Sequence, residues 1–325
     1  METEMFNQRT DLTQLNEAVE QIRQSLGNII VGQKDTIDFL IAGLLADGHI
    51  LLEGVPGVAK TLSAKLVAKS IDASFSRIQF TPDLMPSDVL GTSVFDPRTA
   101  SFEYRRGPIF GNIILVDEIN RAPAKTQSAL FEVMEERQIT VDGHSYQMEE
   151  PFLVLATQNP IEQEGTYRLP EAQLDRFLFK IEVKYPSLEE ETQILLNQHQ
   201  KQPDRELKAV KAVLTTQQIK TCRELIRAIH VEPKLVEYVA RITHETRNNS
   251  ALYLGGSPRA SLAILSGAKA IAGMNGRDFV TPDDIIRVAA PVLAHRIMLS
   301  PEKEMEGLTT TDIVAQIIQK IEIPR

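Results

Sequence analysis

The sequence predicts an α/β fold in which a parallel sheet with helices on both faces precedes a helical domain. Short apolar runs of strand type alternate with helical stretches, which is typical of a parallel sheet. Two of these runs, "IILV" and "FLVLA", are continuous rather than alternating, as expected of strands buried on both sides. The predicted strands cover residues 49–54, 74–80, 112–118, 151–159 and 177–183, and the helices between them include 60–70 and 122–136.

Two helices are predicted ahead of the first strand. Asp11 caps the first helix, whose apolar residues repeat at helical spacing, and Gly27 ends it. The second helix follows the tripeptide "VGQ" and covers residues 34–45. Both helices therefore lead into the sheet from the amino-terminal side of the chain.

Two alternating segments interrupt the α/β pattern. Residues 92–106 predict a β-hairpin around "DPRTA", and residues 138–148 predict a second one with an Asp142-Gly143 turn. Neither hairpin is part of a plain α/β core, so both are interpreted as insertions.

The chain changes character after Tyr185-Pro186. Ser187 and Glu190 form a capping box at the start of a helix, and the pattern from there on is almost wholly helical. We therefore expect an α/β core at residues 1–185 and a helical domain at residues 186–325. The helices predicted in the second domain cover residues 187–199, 217–229, 233–248, 258–273, 282–296 and 310–321.

Composition indicates an acidic globular protein. Among 325 residues, 35 basic and 44 acidic side chains give a formal net charge of −9. This charge repels nucleic acid at long range, so a motor that acts on DNA or RNA is disfavoured. Cys222 is the only cysteine, which excludes an internal disulfide. The first residues lack the apolar core of a signal peptide and no apolar stretch reaches the ~20 residues of a membrane span, so we expect a cytoplasmic protein without membrane insertion.

The segment "LLEGVPGVAKT" is typical of a loop that binds phosphate between a strand and a helix. Gly54, Lys60 and Thr61 match the general pattern G-x-x-x-x-G-K-[ST], but Ala59 replaces its second glycine. In such a loop backbone N–H groups bind the phosphates, Lys60 reaches the β- and γ-phosphates, and Thr61 is a ligand of Mg²⁺. Gly54 and Gly57 are expected to supply unusual backbone angles, whereas Ala59 costs little only if its φ is negative. The alternative is a tight turn with an exposed Lys60.

Two adjacent carboxylates end the predicted strand "IILVDE". Asp117 could hold Mg²⁺ directly or through water, and Glu118 could orient and polarise the attacking water, as in many proteins that hydrolyse ATP. The alternative is an ordinary strand end with a solvated acidic pair. The functional interpretation is favoured because a phosphate loop precedes the pair by one βαβ unit plus a hairpin.

Other polar residues end a strand or lie near a domain edge. Gln158-Asn159 follows a buried strand, where a neutral amide can hydrogen-bond the γ-phosphate and water together, although a turn is the alternative. Arg168 and Arg176 lie close together, and an arginine from a neighbouring subunit can stabilise transition-state charge. Arg168 is interpreted as a surface residue, and local sequence does not decide the role of Arg176. Arg259 opposes the dipole of a predicted helix, which suggests an anionic partner, although an arginine that bends out to solvent is common.

Taken in order, these segments resemble an AAA+ ATPase of the MoxR family, and the resemblance covers nearly the whole chain. Alanine before the lysine of the phosphate loop is usual in that family. Both hairpins are similar to inserts of the same clade. The matching segments are "IVGQ" (30–33), "GVPGVAKT" (54–61), "LVDEINRA" (115–122), "ATQNP" (156–160), "LDRF" (174–177) and "GSPRA" (256–260).

The resemblance implies ATP and Mg²⁺ as ligands and assigns roles to residues. For catalysis it implies Glu118, Lys60, Asn159, Arg176 as the arginine finger, and Arg259 in the helical lid. For Mg²⁺ it implies Thr61 and Asp117. For the nucleotide it implies Val31, Gly32, Gln33, Gly54, Val55, Pro56, Gly57, Val58, Ala59, Lys60, Thr61, Leu62 and Arg259.

The resemblance further implies a ring, expected to be a hexamer, in which Arg176 reaches the γ-phosphate bound by a neighbour. Hydrolysis would then move the lid and shift the two hairpins against a client protein. Members of the family act as chaperone-like remodelling ATPases and often work with proteins that carry a von Willebrand factor A domain.

Two alternatives remain open from the sequence. A magnesium-chelatase-like motor subunit or a helicase would share both hairpins, but the hairpin at 138–148 carries no lysine or arginine for nucleic acid. A slow nucleotide-gated switch or scaffold would carry the same motifs with little turnover.

Overall fold

The computed structural model describes residues 11–27, 29–160, 166, 167, 169–200 and 210–324. Its internal contacts divide the chain into two compact units. The first unit is Ile22–Lys220, and the second is Met1–Gln21 together with Thr221–Arg325. The described residues between 186 and 220 thus belong to the first unit, and the domain boundary expected at residue 185 stays a prediction.

The elements follow the order expected from the sequence. The strands are β1 (His49–Glu53), β2 (Ile71–Asp72), β3 (Phe75–Gln79), β4 (Gly91–Asp96), β5 (Ser101–Arg106), β6 (Ile113–Asp117), β7 (Gln138–Val141), β8 (His144–Gln147), β9 (Leu153–Gln158), β10 (Phe177–Glu182), β11 (Leu214–Thr215), β12 (Leu252–Leu254) and β13 (Met298–Leu299). The helices are α1 (Thr13–Gly27), α2 (Lys34–Leu45), α3 (Lys60–Lys69), α4 (Pro86–Leu90), α5 (Ala124–Glu136), α6 (Glu171–Leu174), α7 (Leu188–Gln200), α8 (Thr216–Ala228), α9 (Pro233–Asn248), α10 (Pro258–Met274), α11 (Pro282–Leu293), α12 (Pro301–Met305) and α13 (Thr310–Lys320).

The first unit is built on a parallel sheet with the strand order β10-β1-β9-β6-β3, which confirms the predicted fold class. In register, Glu53 lies beside Gln158 and Gln79 lies beside Asp117. Because the strands are parallel, these polar residues at their carboxyl ends meet at one edge of the sheet. That edge carries the candidate site.

Helices cover both faces of this sheet. Phe131 and Met134 of α5 are buried in one cluster with Ile114 and Val116 of β6. On the other face, α2 packs against β1 and β10, and α3 packs against β6 and β9. Strand β6 is buried along its whole length, as its continuous apolar sequence predicts.

Both predicted hairpins are present, formed by the antiparallel pairs β4–β5 and β7–β8. Asp142 and Gly143 have φ of 51° and 79°, the left-handed angles of the predicted turn. The Tyr104 and Tyr146 rings lie 4.7 Å apart, and the Ser93 hydroxyl contacts the Asp142 carboxylate. The two insertions therefore pack against each other.

The second unit is mainly helical. Its helix α10 is rich in small residues, and a side chain at Gly273 would collide with Ile226, so glycine allows a close approach there. A short antiparallel pair, β12–β13, was not predicted. Cys222 is buried, and burial raises the pKa of its thiol. Within the described ranges, every helix is too short or too polar to cross a bilayer.

Candidate active site

The phosphate loop connects the end of β1 to the start of α3. Gly57 has φ of 88°, as expected for a glycine that supplies an unusual angle. Gly54 has a different role, because a Cβ there would lie 2.6 Å from the carbonyl oxygen of Val183. Gly54 does not have a positive φ, and glycine is needed there because the backbone at Val183 passes too close for a side chain.

Ala59 has φ of 60° and ψ of 20°, so it adopts the left-handed conformation at the N-cap of α3. The condition under which alanine would cost little, a negative φ, is therefore not met. The Ala59 carbonyl accepts hydrogen bonds from the amide and hydroxyl of Ser63, at 2.9 and 3.1 Å. Gln33 donates to the Val58 carbonyl at 2.9 Å. These bonds hold the loop in its shape and join it to the segment at residues 31–33.

The first two residues of α3 point to the end of the sheet. The Lys60 ammonium contacts the carbonyl of Gly54 and donates to the carbonyl of Gln158 at 3.1 Å. Thr61 Oγ1 donates to Asp117 Oδ1 at 2.9 Å. The two residues that the sequence assigns to Mg²⁺ are therefore adjacent, although 56 positions separate them in the chain.

Asp117 is the last residue of β6, and only 5% of its side chain is exposed. Its Oδ1 also accepts from Thr157 Oγ1 at 3.3 Å, and its Oδ2 accepts from Arg77 Nε at 2.6 Å. Buried carboxylates are stable only with such donors or with a cation. Both Asp117 oxygens are thus held in fixed positions.

Glu118 follows Asp117 in the left-handed conformation, with φ of 58°. Its amide donates to Thr157 Oγ1 at 3.0 Å. Its carboxylate accepts from Gln79 Nε2 at 2.8 Å and from Arg121 Nη1 at 3.2 Å. The backbone turn directs Glu118 away from Asp117, so the two adjacent carboxylates have separate partners and can perform separate tasks.

Four residues of this network were not singled out from the sequence: Arg77, Gln79, Arg121 and Thr157. Arg77 and Gln79 alternate on β3, so they share one face of that strand. Polar residues at alternate positions beside a buried strand were a usable signal. The sequence pattern does not show that β3 and β6 are neighbours. That pairing is what brings Arg77 to Asp117 and Gln79 to Glu118.

A cavity of about 510 Å³ brings the predicted residues together. Asn159, which is buried, also lines it. A second cavity of about 480 Å³ is lined by Val31, Gly32 and Gln33 together with Tyr185 and Glu190. Of the residues predicted from the sequence, those lining the first cavity are Pro56, Gly57, Ala59, Lys60, Thr61, Leu62, Asp117, Glu118 and Asn159.

The sequence also predicted three arginines, of which the structure describes Arg176 and Arg259. Arg176 Nη1 donates to the Phe131 carbonyl at 2.6 Å, and the guanidinium lies 3.6 Å from the Glu135 carboxylate. Arg259 is exposed in the first turn of α10 and belongs to the second unit. Arg168 lies outside the described residues.

The residues present fit both Mg²⁺ and phosphate. Mg²⁺ prefers oxygen ligands, and the Thr61 hydroxyl and Asp117 carboxylate supply them side by side. The start of α3 presents the backbone N–H groups of a helix N-terminus and the positive end of the helix dipole, which favour phosphate. This arrangement can bind a nucleoside triphosphate with its metal ion.

Comparisons with known proteins agree with this geometry. The family model for the ATPase family associated with various cellular activities (AAA) matches residues 49–179, and the model for the AAA lid domain matches residues 244–317. A crystal structure of a candidate ATPase from Cytophaga hutchinsonii is similar with a TM-score of 0.86 and 41% sequence identity, covering 95% of this chain and 96% of that one.

Relatives are similar over nearly the full length. Protein YeaC of Bacillus subtilis, itself uncharacterised, is 47% identical over 310 residues, 95% of each chain. Chaperone MoxR1 of Mycobacterium tuberculosis is 44% identical over 306 residues, 91% of this chain and 80% of that one. A magnesium-chelatase subunit of Arabidopsis thaliana is only 24% identical over 274 residues, 82% of this chain and 60% of that one. With this similarity and with the phosphate loop, carboxylate pair and sheet described above, the chain belongs to the MoxR family of AAA ATPases.

Proposed function

We propose that this chain binds ATP with Mg²⁺, hydrolyses it to ADP and phosphate, and uses the reaction for chaperone-like remodelling or maturation of partner proteins. One observation carries the proposal: the hydrogen bond of 2.9 Å between Thr61 and Asp117. It joins the phosphate loop to the carboxylate at the end of β6, inside a cavity that Lys60, Glu118 and Asn159 also line.

Different groups of the chain would bind different parts of the nucleotide. Backbone N–H groups from Gly57 to Thr61 would bind the phosphates, and Lys60 would turn from its carbonyl partners to the β- and γ-phosphates. Thr61 and Asp117 would hold Mg²⁺, which supplies charge neutralisation at the transferring phosphoryl group. Residues 31–33 would contact the adenine, because Gln33 hydrogen-bonds the loop and all three line the neighbouring cavity. Val55, Pro56, Val58, Ala59 and Leu62 complete the proposed contacts.

Hydrolysis would depend on Glu118 and Asn159. Glu118 would orient the attacking water and accept its proton through Oε1, since Gln79 and Arg121 both donate to Oε2. Asn159, at the end of β9, would hydrogen-bond the water and the γ-phosphate. Arg259 of the helical unit would sense the phosphate.

We propose that Arg176 acts in a neighbouring subunit of a ring, which we take to be a hexamer. In support, its protein partners are Phe131 and Glu135 of α5, neither of which lines the cavity. An arginine supplied by a neighbour is worth roughly 10³–10⁵ in rate in related chemistry. The clients would be proteins, among them one with a von Willebrand factor A domain, and the site of action the cytoplasm.

A magnesium-chelatase role is not favoured, since the chelatase relative is far less similar than the chaperone MoxR1. The rate of hydrolysis separates a motor from a slow switch. Steady-state ATP hydrolysis should be measured against protein concentration for wild type, Arg176→Ala and the control Arg98→Ala, which removes an exposed arginine from the β4–β5 turn.

We expect specific activity to rise with concentration for wild type and the control. The specific activity of Arg176→Ala should stay low at every concentration, while its affinity for a fluorescent ATP analogue is unchanged. Activity per chain that is independent of concentration, with Arg176→Ala fully active, would refute the shared site. Binding without turnover in wild type would favour the switch.

A further inference from the structure

Arg77 is a cation inside the candidate site that the roles given above do not use. It lies on β3, the edge strand next to β6, and its Nε donates to Asp117 Oδ2 at 2.6 Å. Its side chain is 46% exposed, against 5% for the side chain of Asp117. The pair therefore joins a buried carboxylate to a guanidinium that reaches into the same cavity.

Arg77 is partly exposed and lines the cavity. Within the described residues, its one protein hydrogen bond is the bond from Nε to Asp117, and its side chain is otherwise 46% exposed. The other lining cations are Lys60, which contacts two backbone carbonyls, and Lys65. Arg77 contacts Asp117, the carboxylate assigned to Mg²⁺.

This geometry has an electrostatic consequence. A carboxylate at the cavity repels a triphosphate, and that repulsion is strong because Asp117 is shielded from water. Arg77 and Mg²⁺ would each neutralise the charge of Asp117. The presence of one therefore reduces the contribution of the other to nucleotide affinity. The strand pairing places Gln79 beside Asp117 and Arg77 two residues earlier on the same face, so this arrangement is built into the sheet.

We propose that Arg77 is a positioning residue that holds Asp117 and acts as its internal counter-ion, so that nucleotide affinity and Mg²⁺ are linked through the Arg77–Asp117 ion pair. The inference rests on the proposed function, because it concerns the same nucleotide site. Beyond that function, Arg77 would determine how strongly nucleotide affinity depends on Mg²⁺.

The test compares nucleotide affinity in EDTA with affinity in saturating Mg²⁺. A fluorescent ATP analogue is titrated into the full chain of wild type, Arg77→Gln and Arg77→Lys. Arg98→Gln is the matched control, since Arg98 forms an exposed pair with Asp96 in the same unit. Thermal unfolding of each variant establishes that it is folded.

Arg77→Gln should weaken binding about tenfold in EDTA and less than about threefold in Mg²⁺, because the metal ion replaces the missing charge. Arg77→Lys, which keeps the charge, should stay close to wild type in both conditions. Arg98→Gln should be unchanged. An equal loss in EDTA and Mg²⁺, or no loss in either, would overturn the proposal.

A double-mutant cycle with Asp117→Asn tests whether Arg77 acts through Asp117. The EDTA effect of Arg77→Gln should largely disappear in the Asp117→Asn background. An undiminished effect there would mean that Arg77 contacts the nucleotide independently, and the proposal would fail. If wild type does not bind the analogue, or Lys60→Ala binds it equally well, the proposed function itself fails, which is a different result.

Discussion

Ala59 and Glu118 are two non-glycine residues with left-handed backbones in the candidate site, with φ of 60° and 58°. A Cβ in this conformation costs roughly 1–2 kcal/mol, which explains why phosphate loops generally have glycine before the lysine. Such strain concentrates at functional sites when the surroundings enforce it. Here Ser63 holds Ala59, and Thr157 holds the amide of Glu118.

Replacing Ala59 with glycine should stabilise the chain by about 0.5–1 kcal/mol, since glycine removes the strain but loses more entropy on folding. Urea unfolding of Ala59→Gly and wild type measures the difference. Ala100→Gly is a matched control, because Ala100 has φ of 51° in an exposed turn and should respond similarly. Ala59→Val should be destabilising, and a neutral Ala59→Val would contradict the left-handed angle.

The two hairpins act as one structural element rather than two. Tyr104 of β5 contacts Tyr146 of β8, and Phe110 lies between them and Arg106, whose guanidinium is 5.0 Å from the Phe110 ring. The Tyr104 hydroxyl also donates to the Leu90 carbonyl at 2.6 Å. If the hairpins are the levers on a client, as the resemblance implies, this aromatic cluster would make them move together.

A double-mutant cycle should detect this coupling. Tyr104→Leu and Tyr146→Leu together should destabilise the chain by about 1 kcal/mol less than the sum of the single losses, because the first substitution already removes the ring contact. Urea unfolding of the four proteins gives the coupling energy. Phe95→Leu combined with Tyr146→Leu is the control, with rings that make no direct contact. Additive losses at Tyr104 and Tyr146 would mean that the hairpins are independent.

The charges of the whole chain and of the site differ in sign. The chain carries −9, whereas Lys60, Lys65 and Arg77 outnumber Asp117 and Glu118 at the cavity. A local positive field favours a triphosphate even in an acidic protein. The net charge of the chain thus disfavours nucleic acid as a partner, whereas the local positive field at the cavity favours binding of the nucleotide.

Mixing two inactive variants should restore activity if the active form is a ring with shared sites. Glu118→Gln lacks the proposed base, and Arg176→Ala lacks the proposed finger. In a mixture, an Arg176→Ala chain keeps Glu118 and can receive Arg176 from its neighbour. ATP hydrolysis should therefore exceed the sum of the separate variants. A mixture with the double variant in place of Glu118→Gln should stay inactive, and additive activity in the first mixture would place Arg176 outside the neighbouring site.

Much of the fold follows from local patterns. The strands of the sheet, the hairpin turn at Asp142-Gly143 and the capping box at Ser187 depend on residues close together in the chain, so periodicity and turn chemistry were sufficient. The phosphate loop and the carboxylate pair could likewise be identified from the sequence, since each is one short segment whose chemistry requires particular residue types.

Other features depend on contacts between distant segments. Arg77 hydrogen-bonds Asp117, which lies 40 positions later in the sequence, and Gln79 hydrogen-bonds Glu118, 39 positions later. Arg176 hydrogen-bonds Phe131, 45 positions earlier. Strand order sets the first two partners, and local periodicity does not encode which strands are neighbours. The angle at Ala59 also depends on the folded structure: the residue type does not determine the sign of φ, and Ala59 adopts the positive one in a loop that is bonded to Ser63 and Gln33. Residue types and their spacing thus fixed the kind of site, whereas the packing of strand against strand fixed which charges meet within it.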